Sequence, residues 1–458
     1  MMTGSAQGNG LRRRAACGLS AAVFMLAVAP QSRADDLAYD VLAGLGETDN
    51  VRLTPTDKRS DTIATVGFDL TWRERRRTLD ADVTADVEYL DFLRHSYSGE
   101  VIGNVLANLH LILIPQVLRW SFNENFGQTN IDPVAATTPN NRENINNFST
   151  GPDLTLPLGA TDALLVDARY SNVNYQVSQL SSNRYSAGVG ARHELSASSG
   201  ISLNAEDELI RFDDSQANPD YDQQEAYFRY DATGARTRLS LDAGYTRLKL
   251  QTEQVGGFLA RLELTRQLTP SQTLTFTAGH DYSDAGNEFL LLQALGGANL
   301  ATQAIGASSS PFKQNYVTVG WGFQARRTGF GVDAGHFKLS YEESNLLDEQ
   351  RTTAGAHVTR RLTPRVEAGL YVSYLKEEFR NLGGGNYNQL DTTAQVTYRV
   401  NTKLTIDVEL ARTRRDSDLT STTYTDDRAW LKIKYGRALP PPTAPIVPPL
   451  PAFPNQQR

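Results

Sequence analysis

Cysteine is almost missing from this 458-residue chain, and its single copy, Cys17, stands near the start. Beyond that point there is no material for a disulfide framework, a cysteine nucleophile or a thiolate metal site. Histidine is nearly as scarce. His95, His110, His193, His280, His336 and His357 are scattered, with no HxxxH or HExxH spacing, so no metal is expected. Basic charge is also short: 45 basic residues face 52 acidic ones, a balance that argues against a nucleic-acid partner. After residue 34 no apolar run approaches the ~20 residues of a membrane helix. P-loop, GxSxG and dinucleotide fingerprints are absent from any strand-turn-helix setting, so neither cofactor nor enzyme activity is expected.

What the first 34 residues do contain is a secretory pattern. Arg12, Arg13 and Arg14 precede an apolar stretch from Ala15 to Val28, and Ser32-Arg33-Ala34 offers a small-x-small cleavage site. Removing 1–34 takes away Arg12, Arg13, Arg14 and Arg33 and no acidic residue, which moves the net charge from -7 to about -11.

The rest alternates. Ala64, Val66, Phe68, Leu70 and Trp72 fall on one face of an extended chain, with Thr65, Gly67, Asp69 and Thr71 on the other. The next segment sets Leu79, Ala81, Val83, Ala85, Val87 and Tyr89 against Asp80, Asp82, Thr84, Asp86 and Glu88. A face with four carboxylates cannot line a dry core, because unpaired buried charge is too unfavourable. The pattern recurs to Leu404, Ile406, Val408 and Leu410. One face meets lipid and the other water.

Turn signals decide the topology. Tight turns fall near 74–76, 114–116, 158–160, 196–200, 233–234, 269–271, 327–329, 363–365 and 401–403, and the polar connections between them are longer. Short turns on one rim and long loops on the other describe an outer-membrane barrel. The reading is all-β: a transmembrane antiparallel β-barrel over 35–437 with about 20 strands (merging one doubtful pair gives 18), short periplasmic turns and longer extracellular loops. Trp72, Tyr89, Trp120, Tyr245, Tyr374 and Tyr435 fit interfacial girdles. Residues 438–458 hold eight of the 19 prolines and read as a disordered periplasmic tail.

Two strands break phase. Between Phe330, Val332, Ala334 and Phe337, Leu339, Tyr341 the shift predicts a bulge near Gly335-His336. Asp207 falls in the lipid phase of its strand, which calls for another bulge or a place near the rim. The longest connection, 283–311, carries Phe289, Leu290, Leu291 and Leu292. It is either a mobile extracellular loop or one folded into the lumen as a constriction, where its leucines find cover.

The lumen-lining candidates are Asp80, Asp82, Asp86, Glu88, Asp391, Asp407 and Glu409, counterweighted by Arg229, Arg238, Arg261 and Arg399. A charged lumen selects ions and orients hydrated solutes. Three functions stay open: a pore for hydrated solutes, a structural or assembly barrel that docks periplasmic partners, and a hydrolase with a Ser-His dyad assembled across strands. Expected partners are outer-membrane lipid and, because the last strand ends on Leu431, Ile433 and Tyr435, the barrel-assembly machinery.

Several blocks carry a family resemblance. Arg119-Trp120, Asn125-Phe126-Gly127-Gln128-Thr129, Ile131-Asp132-Pro133, Asn141-Arg142-Glu143-Asn144 and Ser149-Thr150-Gly151-Pro152-Asp153 resemble the outer-membrane β-barrel proteins encoded with exopolysaccharide and exosortase (PEP-CTERM) systems of Gram-negative bacteria. Gly46-Glu47-Thr48-Asp49-Asn50-Val51, Arg184-Tyr185-Ser186, Asp220-Tyr221-Asp222-Gln223-Gln224-Glu225 and Gly234-Ala235-Arg236-Thr237 are similar to the same group. The resemblance implies a porin-like barrel that passes or guides carbohydrate, with polysaccharide and periplasmic export proteins as partners. It implies no catalytic residue.

Overall fold

The computed structural model describes residues 37–296, 308–343, 345–383 and 385–437. The expected leader, 1–34, and the proline-rich segment, 438–458, lie outside the described residues. The strands are β1 (Leu37–Thr48), β2 (Asp61–Arg75), β3 (Leu79–Phe92), β4 (Glu100–Ile114), β5 (Leu118–Asn130), β6 (Arg142–Pro157), β7 (Asp162–Tyr175), β8 (Ser182–Ser196), β9 (Ser199–Phe212) and β10 (Tyr221–Thr233). They continue as β11 (Thr237–Lys249), β12 (Gln254–Thr269), β13 (Gln272–Ser283), β14 (Phe312–Gln324), β15 (Thr328–Tyr341), β16 (Glu349–Arg361), β17 (Val366–Phe379), β18 (Tyr387–Arg399), β19 (Leu404–Ser417) and β20 (Tyr424–Arg437). One helix of more than three residues, α1 (Ala285–Gly296), lies between β13 and β14 among the described residues.

Each strand pairs antiparallel with its neighbours in the chain, and β1 closes on β20 from Tyr39 opposite Arg437 to Thr48 opposite Arg428. Closure leaves no edge and satisfies the backbone groups that lipid cannot. The twenty strands and the nine tight turns match the turn signals in the sequence. Val41, Leu45, Val66, Phe68, Leu241, Phe258, Val319, Val408 and Leu410 point outward and are exposed in the isolated chain. A closed barrel wearing this apolar belt sits in a bilayer.

The expected bulge at Gly335-His336 is absent. Through that stretch β15 pairs without interruption with β14 (Val317 opposite His336, Thr318 opposite Gly335) and with β16 (Gly335 opposite Thr353, His336 opposite Thr352). Phe337, Leu339 and Tyr341 therefore point into the barrel, where they are buried, while His336 points outward and is exposed. The physical reason is a change of surroundings along one strand. Within the bilayer the outer face meets lipid, so apolar side chains go outward. Beyond the lipid the outer face meets water, and apolar side chains turn inward to find a packed interior.

Other strands do the same at their long-loop ends. Ile63, Leu90 and Phe92 turn inward beneath Val51 of the first loop. Leu375, Phe379 and Tyr387 turn inward beneath Val134. Asp207 likewise needs no bulge: β9 runs in register past it, and it faces outward opposite Gln224, whose Nε2 donates to its carboxylate at 2.8 Å. The register shifts that do occur, at Ile112/Ile114, Glu194/Ser196 and Gln267/Thr269, all lie at the short-turn rim.

Candidate functional site

The inward phase of the strands defines a polar lumen, and α1 lies inside its long-loop end. Asp284 starts the helix: its Oδ1 accepts the backbone N–H of Gly286 at 2.8 Å and of Asn287 at 3.1 Å, the hydrogen bonds of a helix N-cap. The same carboxylate is held by the barrel wall. Both Nη atoms of Arg184 on β8 donate to it at 2.9 and 2.8 Å, and the Tyr221 hydroxyl on β10 donates at 2.7 Å.

One turn on, Glu288 accepts from Arg351 Nη1 of β16 at 2.8 Å. Arg351 is 0% exposed and also donates to Glu349 at 2.5 Å and Glu377 at 3.0 Å. On the far wall Gln293 Nε2 donates to Asn104 Oδ1 at 2.8 Å and to the Phe126 carbonyl at 2.9 Å. The helix is thus tied to β4, β5, β8, β10 and β16.

Phe289 and Leu292 are fully buried, Leu291 is buried, and Leu290 packs against the same cluster. That cluster takes Ile145 from β6, Val173 and Tyr175 from β7, Phe312 and Tyr316 from β14, and Phe337, Leu339 and Tyr341 from β15. The inward-turned strand ends and the helix cover one another. The Phe289 ring sits over Gly127, where a Cβ would come within 3.0 Å of it.

Charge ties this docking to pH. Burial holds the Glu288 carboxyl above its ordinary value of 4.5, outweighing the nearby Arg351. Burial also acts on Asp284, but there Arg184 and the hydrogen bonds from Arg184 and Tyr221 prevail and hold it below 3.8. A raised carboxyl contributes stability that is lost as pH climbs through its folded-state value; a lowered one contributes stability lost as pH falls. Docking of α1 is therefore expected to loosen as pH rises from 4.5 through the elevated value of Glu288, and again in strong acid. Hydrogen exchange of the α1 amides across pH checks this. Glu288→Gln should remove the rise on the alkaline side, and an unchanged profile in that variant would refute the assignment.

Below the helix, the ladder residues occupy the inward phase but pair locally, not with one another across the lumen. Arg75 reaches Asp80 at 2.7 Å and also bonds Asp82. Lys432 donates to Glu88 at 2.6 Å. Asp86 lies in register between Asp69 and Asn104. Asp391 accepts from Thr413 at 2.6 Å, Asp407 accepts from Thr397 at 2.7 Å, and Glu409 lies in register between Gln395 and Trp430.

The arginines named with the ladder have other partners. Arg229 makes two 2.7 Å bonds to Asp242, Arg261 joins Asp281 at 2.7 Å and Glu225 at 2.9 Å, and Arg399 reaches Glu367 at 3.2 Å. Arg238 is exposed near the short-turn rim. Long side chains of the same phase meet between strands one to three places apart, as Lys432 of β20 meets Glu88 of β3, so a nearby opposite charge wins over one across the barrel. Reasoning from sequence missed Arg184, Asp284, Glu288, Glu349, Arg351 and Glu377. A signal existed: Asp284 stands where a helix N-cap belongs, before a run ending in Phe289-Leu290-Leu291-Leu292.

One cross-strand arrangement bears on the hydrolase alternative. His110 Nδ1 lies 2.9 Å from Ser121 Oγ, but Ser121 donates its proton to Asp153 Oδ2 at 2.6 Å. Asp153 is held in turn by Arg119 at 3.0 Å and by Arg169. A nucleophile needs its proton directed to a base and its oxygen open to substrate; Ser121 is 1% exposed and bound to a carboxylate clamped by two arginines. Among the described residues, no group of three or more His, Asp or Glu is placed to hold a metal ion.

No family model and no curated protein matches the sequence. Among solved structures the chain is similar to a mutant of the ferric enterobactin receptor of Pseudomonas aeruginosa, at 10% identity and a TM-score of 0.46, covering 87% of this chain and 80% of that one. A siderophore receptor of Acinetobacter baumannii gives 10% identity, a TM-score of 0.44 and coverage of 89% and 81%. OpdQ of Pseudomonas aeruginosa gives 11%, 0.40, and coverage of 88% and 98%. The closed sheet, its outward apolar belt and its polar interior make this chain a β-barrel of the Gram-negative outer membrane.

Proposed function

We propose that the protein is a porin-like channel associated with exported or surface polysaccharide, whose lumen passes or guides carbohydrate and whose mouth is narrowed by α1. The observation that supports this reading is the helix itself, held inside a hydrogen-bonding lumen by Arg184 and Arg351. A wall of hydroxyls, amides and carboxylates suits a sugar, which exchanges bonds to water for bonds to the wall at little net change in free energy. The family resemblance of the 119–153 block points to the same class of solute.

The test is conductance in a planar bilayer, with 285–307 intact or replaced by a short linker. The expected result is a larger steady current after replacement, interrupted by added polysaccharide. A barrel that stays closed in both forms would leave the second reading, a structural or assembly protein that docks periplasmic partners. The inward-turned apolar clusters that fill several sectors of the mouth favour that alternative. It predicts that deleting 439–458 abolishes partner capture, whereas a simple pore keeps its conductance.

A further inference from the structure

On the inner wall of β14 to β17, on the short-turn side of α1, three side chains lie down over glycines. His357 on β16 is in register with Gly331 on one side and Tyr371 on the other. A Cβ at Gly331 would meet the imidazole at 2.3 Å, one at Gly369 would meet the Tyr371 ring at 2.9 Å, and one at Gly355 would meet the Asp333 carboxylate at 2.5 Å. The glycines thus form a floor on which these groups rest. The two ring planes are close to parallel, 22° apart, with centroids 6.0 Å apart. Both rings are open to the lumen: Tyr371 is 38% exposed, and His357, Asp333 and Ser373 are exposed with it.

Their inward orientation follows from unbroken register. On the same strands and in the same phase, Phe337, Arg351 and Glu377 reach the α1 cluster and its ion network. His357 lies six residues beyond Arg351 toward the short-turn rim, so the platform is open on the side that α1 does not cover.

The geometry points to a carbohydrate subsite: a pyranose ring stacks on the Tyr371/His357 face while its hydroxyls bond Asp333 and Ser373. An aromatic face carries partial negative charge and accepts the C–H face of a pyranose, which is weakly positive. Carboxylate and hydroxyl groups at the platform's edge supply acceptors for equatorial hydroxyls. An anionic solute is disfavoured, because Asp333 adjoins the rings and Asp391 lies in register with Ser373. The ligand class is therefore a neutral hexose chain. This inference rests on the carbohydrate reading above and deepens it.

The test uses protein purified from membranes, with maltohexaose, cellohexaose and chitohexaose as probes, and reads binding by calorimetry and by saturation-transfer NMR. At least one hexaose should bind. Tyr371→Ala should weaken it by about tenfold, the scale of one aromatic contact, and Tyr371→Phe should bind like the unaltered protein. Gly331→Val, which lifts His357 off the wall without changing either ring, should weaken binding as well. Unaltered heat-dependent gel mobility verifies that each variant is folded. If a hexaose binds equally well to Tyr371→Ala and Gly331→Val, the platform is wrong and the carbohydrate reading stands. If none of the three binds the unaltered protein, both fall.

Discussion

Arg351→Ala is expected to free α1 from the mouth of the barrel and to raise the steady bilayer current. The guanidinium is wholly buried and bonds three carboxylates, those of Glu288, Glu349 and Glu377. Taking away one partner of a buried ionic cluster leaves charge without compensation, at a penalty of roughly 3–5 kcal/mol. Part of that strain is relieved if Glu288 leaves with its helix, because α1 is no part of the sheet while β16 and β17 cannot leave it. The same rule supplies a control. Replacing Arg351, Glu288, Glu349 and Glu377 together by apolar residues of similar volume should restore most of the stability. Current and thermal midpoint are measured on the same preparations, and a single variant unchanged in both would show that the ion network does not hold the helix.

Val408→Arg is expected to lower the stability of the inserted barrel by about 2–4 kcal/mol, the penalty for an arginine facing the centre of a bilayer. Val408 points outward and is exposed, with apolar Ile406 and Leu410 on either side of it along the outer face. His336→Arg, also on the outer face, is expected to change stability by at most about 1 kcal/mol, the figure for positions near an interface. The pair tests the continuous register of β15. A bulge at Gly335-His336 would turn His336 toward the packed cluster around Phe289 and make an arginine there disruptive. Urea titration of folding into lipid vesicles measures both, and a large loss from His336→Arg would contradict the uninterrupted pairing.

The strand order, the tight turns and the outward belt were legible because they depend on neighbours in the chain. Alternation of period two and the residues of a tight turn are local properties, and a closed barrel follows when every segment has them. The phase change in β15 was equally visible as a pattern but was misread. Sequence records that apolar residues switch sides, and a bulge and a change of solvent produce the same switch.

The sequence by itself determined a closed barrel of about twenty strands with a wet interior, because lipid on one face and water on the other impose alternation strand by strand. Only the tertiary structure decided what fills that interior. Arg184 and Asp284 are 100 residues apart, and Arg351 and Glu288 are 63 apart; nothing local marks them as partners. The register that lays His357 beside Tyr371 over Gly331 and Gly369 is likewise a property of three paired strands. Long-range pairing is set by closure of the sheet and by the burial of inward-turned strand ends under α1, and neither acts until the chain has come back on itself.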